Sequence, residues 1–282
     1  MITLTIARLS FREASRRRIL LAGLLLGLLF LAVYGLGFHF IMREVEKEIG
    51  SMQVLELNQI RNFLLMAGMY VVNFLTAMMI VLTSVDTLSG EIGSGTIQTL
   101  VAKPVRRWEI VLGKWLGFAV MVSLYLLLMG GGVMGLIYLR SGYSAPHPFS
   151  ALALIWLNAL VLLSVSLLGG AYLSTLANGV LVFGLYGVAF IGGWIEQIGS
   201  FIPNPSASQI AINIGIITRL MMPSEALWKR AAHELQSPLM SALGVSPFSS
   251  NAYPSVAMIV YAILFMLLAC ALAVRRFGNR DL

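Results

Sequence analysis

The chain has 282 residues, of which 59% are hydrophobic and only 11% charged, with a mean hydropathy of +0.88. Such a composition excludes a soluble globular domain and requires a protein with several membrane spans. The formal net charge of +7 is not a nucleic-acid footprint, because the bases flank apolar runs where membrane orientation accounts for them, and the single cysteine, Cys270, permits neither an intrachain disulfide nor a cysteine metal motif.

Residues 1–18 place Ile2, Ile6 and Leu9 at helical spacing opposite Arg8, Arg12 and Arg16, and end in Arg16-Arg17-Arg18. This pattern predicts an interfacial amphipathic helix held by anionic headgroups. A signal-peptide n-region is disfavoured, since the apolar stretch that follows is too long and has no convincing small-residue cleavage site. Residues 19–41 make a first span, about 35 Å long as a helix. Gly23 and Gly27 form a G-x-x-x-G pair that permits close helix contact. A polar stretch over 42–62 precedes a second span at 63–85, where Asn73, Thr76, Thr83 and Ser84 form a polar stripe. That stripe either lines a translocation route or hydrogen-bonds to neighbouring helices.

Between two apolar runs, the stretch from Asp86 to Lys114 carries three acids (Asp86, Glu91, Glu109) and four bases (Lys103, Arg106, Arg107, Lys114), so it cannot lie in lipid. Its sequence predicts a short surface helix. Gly93, Ser94 and Gly95 make a flexible break, and Ser94 or Thr96 can cap the helix that follows. Ile97, Leu100 and Val101 share a face, and Pro104 stops or kinks that helix. Trp108 is placed to anchor at headgroup depth, and Lys114 to snorkel from the start of the next span.

These residues resemble the signature of the type-2 ABC exporter permeases. The matching positions are Glu91, Gly95 with Thr96, Leu100, Pro104 with Val105, Arg107, and Gly113 with Lys114. The likeness is dense over this segment and elsewhere only architectural. It implies a cytoplasmic coupling helix after the second span, docked in a groove of a separate ABC-type ATPase subunit. Glu91, Gly95, Thr96, Leu100, Pro104, Arg107 and Lys114 would then transmit movement by packing and salt bridges. It further implies a second permease chain, homo- or heterodimeric, with ATP and Mg on the partner ATPase and no cofactor on this chain.

Farther along, residues 110–139 form a third span longer than needed, with Gly130, Gly131 and Gly132 as the expected kink. A fourth span covers 150–173 and contains Asn158, Ser164 and Ser166. The fifth, over 179–195, is at the lower limit for crossing. Residues 196–202 remain mostly apolar and lead into Pro203-Asn204-Pro205, which suggests a half-helix or hairpin turning at the prolines with Glu196 and Gln197 near an outer mouth. Two amphipathic helices follow, over 205–220 and 224–236. In the second, Ser224 is a candidate cap, with Leu227, Ala231 and Leu235 on one face and Lys229, Arg230 and Glu234 on the other. A sixth span covers 255–274, ahead of a basic tail.

The expected fold is therefore an all-α membrane protein. An interfacial helix (1–18) precedes a single transmembrane domain (19–282) of six transmembrane helices, with a coupling segment (86–109) between spans two and three and an outer helical segment (196–253). On this threading, 12 of the 19 lysines and arginines lie on the side of the termini and the coupling segment, which places both termini in the cytoplasm, in a membrane that by resemblance is a bacterial inner membrane.

No G-x-x-x-x-G-K-[ST] motif occurs, so ATP hydrolysis is expected on a partner chain. Asn73, Asn158 and Glu196 are the candidate pathway residues; the alternative for Glu196 is an interfacial residue bathed in water. His39, His147 and His233 lie far apart with no ligand spacing, so no metal site is assigned. Asp86 and Asp281, the only aspartates, lie away from span centres and no histidine sits at mid-membrane, which disfavours an intramembrane enzyme. A secondary transporter would show internal repeats and mid-membrane charges, and neither is clear. A non-transporting anchor or sensor subunit for an ATPase would keep the coupling segment without a polar path.

Overall fold

A computed structural model of the chain describes residues 2–48, 54–95, 105–199, 201–237 and 254–279. Among them there are ten α-helices and no strand. They are α1 (Ile2–Arg16), α2 (Arg18–Glu48), α3 (Val54–Ser84), α4 (Asp86–Gly93), α5 (Arg107–Ser141), α6 (Pro148–Tyr172), α7 (Thr175–Gly199), α8 (Pro205–Met221), α9 (Ser224–Leu235) and α10 (Val256–Gly278). Six of these, namely α2, α3 with α4, α5, α6, α7 and α10, are long and apolar enough to cross a membrane.

Each helix runs past the apolar core predicted for it, because helical hydrogen bonding satisfies the backbone on either side of the lipid boundary. The fifth span is the clearest case. Its helix continues without a break from Thr175 to Gly199, so Glu196 and Gln197 belong to the last turn of α7 and not to a separate half-helix. The hairpin at the prolines is present. Asn204 caps α8 by accepting from the Ser206 and Ala207 amides, and Pro205 opens the helix where no backbone donor is needed. At Met222–Pro223 the chain bends by 106° into α9.

Helix α6 is the centre of the bundle, packed by α3, α5, α9 and α10 and buried on nearly every side. In lipid, helices associate through close packing and interhelical hydrogen bonds, and both are present here. Ser164 of α6 accepts from the Trp115 indole of α5 at 2.9 Å and from Cys270 of α10 at 3.2 Å. Small residues bring the backbones together. A Cβ on Gly27 of α2 would come within 2.7 Å of the Met129 sulfur on α5, and one on Gly23 within 3.0 Å of the Met79 sulfur on α3. The triplet Gly130–Gly132 does not break α5, which is helical throughout; it makes room for Leu152 and Leu31, whose methyl carbons would lie 2.5 Å and 2.8 Å from added Cβ atoms.

The N-terminal helix is docked on the bundle. Its face of Ile6, Ser10 and Ala14 is buried against α5, where Gly113 and Gly117 open the surface: a Cβ at Gly117 would meet the Ala7 carbonyl at 2.6 Å. Leu4 and Leu9 remain exposed beside Arg8 and Arg12.

Candidate functional site

Polar chemistry gathers at three levels of the bundle. At the end where α2 begins and α3 ends, α4 continues α3 after a break at Val85. It terminates at Ser94 and Gly95, the latter at a φ of 73°, the left-handed region open to glycine. Glu91 of α4 forms an ion pair with Lys114 of α5, whose side chain is 3% exposed. Lys114 therefore does not snorkel to the interface as its position suggested. Glu91 reaches it first, and an internal carboxylate is the better partner for an ammonium already withdrawn from water.

Three further connections tie this end together. Asp86 accepts from Arg17 at 3.2 Å and from the Thr175 hydroxyl at 3.0 Å, which links the starts of α2 and α7 to α4. Arg107 donates to the Gly278 carbonyl at 3.1 Å, joining the start of α5 to the last turn of α10. Glu109 accepts from the Arg106 amide at 3.0 Å and so caps α5. Arg106 and Trp108 face outward. Of the seven residues of the predicted coupling set, the structure brings Glu91 and Lys114 together and places Gly95 and Arg107 at the same end; Thr96, Leu100 and Pro104 lie outside the described residues.

Midway along the bundle, the Asn158 amide of α6 donates to Asn73 of α3 at 3.0 Å, in a buried pair. Ser84 donates to Ser166 at 2.8 Å along the same interface, and Asn178 of α7 spans the carbonyls of Val85 and Ser166. Asn73 and Asn158 thus hold α3 to α6, while the Asn158 carbonyl oxygen has no protein partner.

At the opposite end, Glu196 is 6% exposed and lies in an ion cluster. Its two carboxylate oxygens accept from Arg219 of α8 and from Lys229 of α9, each at 2.7 Å. Lys229, 3% exposed, points inward to Glu196 of α7, so this part of the polar face of α9 does not meet water. Arg230 is partly buried and pairs with Glu234 at 3.0 Å. Ser224 does not cap this helix; Pro223 occupies the N-cap and the Ser224 hydroxyl is buried without a partner.

The cluster forms because glycines let α7, α8 and α9 approach closely. A Cβ at Gly192 would fall 2.1 Å from the Thr218 hydroxyl oxygen, one at Gly199 would fall 2.1 Å from the Ala211 Cβ, and one at Gly215 would fall 2.6 Å from a Glu196 carboxylate oxygen. Beside them, Glu225 lies along Gly193. Burial raises its pKa; Lys229 opposes this, Glu196 adds to it and Arg219 opposes it. Sequence reasoning found Glu196 but not Arg219, Lys229 or Glu225 as its neighbours. The available signal was the run of small residues at 192, 193, 199 and 215, together with Glu225 and Lys229 four apart on one helix face.

Compared with known proteins, residues 4–282 match a family model described as ABC-2 family transporter protein. No curated protein matches the chain.

Proposed function

The chain belongs to the ABC-2 family of transporter proteins, and from that membership we propose that it is the permease subunit of an ATP-driven exporter. Membrane subunits of this family work with ABC ATPases in the membrane. In this reading two permease chains form the pathway between them, and a separate ATPase subunit carrying ATP and Mg docks beneath each one. Both termini and the segment after α3 face the cytoplasm of a bacterial inner membrane.

The observation that carries the reading is the family match over nearly the whole chain. The buried Glu91–Lys114 pair supports it from the geometry, because it makes α4 and the start of α5 one rigid piece. Glu91 and Lys114 are then positioning residues, and the ATPase meets the surface that includes exposed Arg106 and Trp108. ATP binding that draws two such surfaces together would move α3 and α5 as units and shift the spans between inward- and outward-facing packings.

The test is affinity purification of the full chain from its native membrane in mild detergent, with identification of co-purifying proteins and an ATPase assay. A stoichiometric ABC ATPase, lost or uncoupled in an Arg106→Glu/Trp108→Ala variant, is expected. A chain that purifies without any ATPase, and whose membranes show no nucleotide-dependent activity, would overturn the reading in favour of a secondary transporter or an anchor.

A further inference from the structure

We propose that the small pocket between α3, α7 and α9, beside the Glu196 cluster, is a binding site for an ammonium group. Tyr70, Trp194 and Trp228 supply its aromatic wall, and Glu225, Gly193, Gln197 and Lys229 complete it. The rings are fixed by one another: Tyr70 and Trp228 meet edge-on with centroids 5.2 Å apart, and the Trp194 indole donates to the Tyr70 hydroxyl at 2.9 Å. Ring faces carry negative electrostatic potential and attract cations, most strongly where water is excluded.

The charges on the lining point the same way. Among the described residues no donor hydrogen-bonds to the Glu225 carboxylate, and it forms no salt bridge. The ammonium of Lys229 is directed elsewhere, to Glu196 at 2.7 Å and the Gly193 carbonyl at 3.5 Å. Gly193 has no side chain to displace that of Glu225, whose Cγ would lie 2.3 Å from an added Cβ. The pocket therefore presents one uncommitted carboxylate amid three aromatic rings. The Glu225 carboxylate disfavours an anion, the nearest cation on the lining, Lys229, being already paired with Glu196, and a hard inorganic cation would prefer a fuller set of oxygen ligands. An alkylammonium group satisfies both the carboxylate and the rings.

The cluster as a whole favours exchange over simple addition. Because a proton and an ammonium carry the same charge, an ammonium that replaces a proton on Glu225 leaves the net charge of the cluster with Glu196, Arg219 and Lys229 unchanged. The charged and titratable groups around Glu225 are Tyr70 on α3, Tyr186 and Glu196 on α7, Arg219 on α8 and Lys229 on α9. Ammonium affinity consequently falls as pH is lowered through the titration of Glu225, which lies above the ordinary carboxylate range.

The ammonium group could belong to a free amine or to an aminophospholipid headgroup. Binding needs no ATPase, so it is measured on the purified full chain in detergent by scintillation proximity with radiolabelled methylammonium, against sodium at matched ionic strength. Saturable binding is expected, weakened at least about tenfold by Glu225→Gln, whose carboxylate carries no salt bridge, and separately by Trp194→Leu at a half-exposed position. Competition by phosphatidylethanolamine but not phosphatidylglycerol identifies a lipid headgroup as the natural ligand, and unimpaired binding in the presence of both lipids identifies a free amine. Absence of saturable methylammonium binding, or equal affinity in both variants and the unmodified chain, overturns the proposal.

Discussion

At the scale of single residues, the Glu91–Lys114 pair is the place, among the described residues, where the predicted coupling set is also a buried structural element. Removing one partner leaves an uncompensated buried charge, a loss of about 3–5 kcal/mol, whereas removing both leaves none. Lys114→Met alone, or Glu91→Gln alone, is expected to lower the unfolding temperature in detergent markedly. The double variant should recover most of that loss. If the two single changes simply add, the pair is not coupled and α4 is not fixed to α5 through it. The sequence marked both residues but gave Lys114 the wrong environment. A lysine at a span boundary snorkels unless a carboxylate from another segment reaches it, and nothing local to Lys114 announces an acid 23 positions earlier.

Among the elements, the glycine-lined contact of α7 with α8 determines whether the Glu196 cluster exists at all. Gly192→Val would drive a branched side chain into Thr218, and overpacking of this kind costs typically about 1–3 kcal/mol. The expected outcome is faster hydrogen exchange across Pro205–Met221 with little change in α6. Uniformly unchanged exchange would mean that the helices are held together by something other than this close approach. The spans themselves were legible, because each apolar run is longer than any soluble core helix needs and the prolines at 203 and 205 announce the turn. The orientation of α9 was not. Periodicity identifies a face bearing Lys229, Arg230 and Glu234, but whether that face meets water or a carboxylate depends on Glu196, which only the folded hairpin brings near. For the same reason the roles of Gly113 and Gly117 were hidden: their partner, α1, lies a hundred residues away and reads in isolation as a surface helix.

For the whole molecule, the two ends differ in chemistry in a way that bears on orientation. One carries the arginines of α1 with Arg106 and Arg107; the other carries the Arg140–Glu46 pair at 3.1 Å and the Glu196 cluster. The positive-inside bias predicts that the first end faces the cytoplasm. In a Cys270→Ser background, single cysteines at exposed Glu13 and Glu44 should therefore react oppositely with a membrane-impermeant maleimide in intact cells. Glu44→Cys is expected to label at once and Glu13→Cys only after permeabilisation. The reverse order would invert the threading and, with it, the face offered to any ATPase.

Asp86 gives this architecture a mechanical property. Its exposed carboxylate adds little to stability, since ion pairs in contact with water contribute at most about 1 kcal/mol. Its value lies in where it is anchored, because through Arg17 and Thr175 it fastens α4 to the starts of α2 and α7. With the Glu91–Lys114 pair, the short helix is thus held at three points, to the starts of α2, α7 and α5, with α3 leading into it. If an ATPase docks at this end, as proposed, a displacement of α4 is shared among α2, α5 and α7.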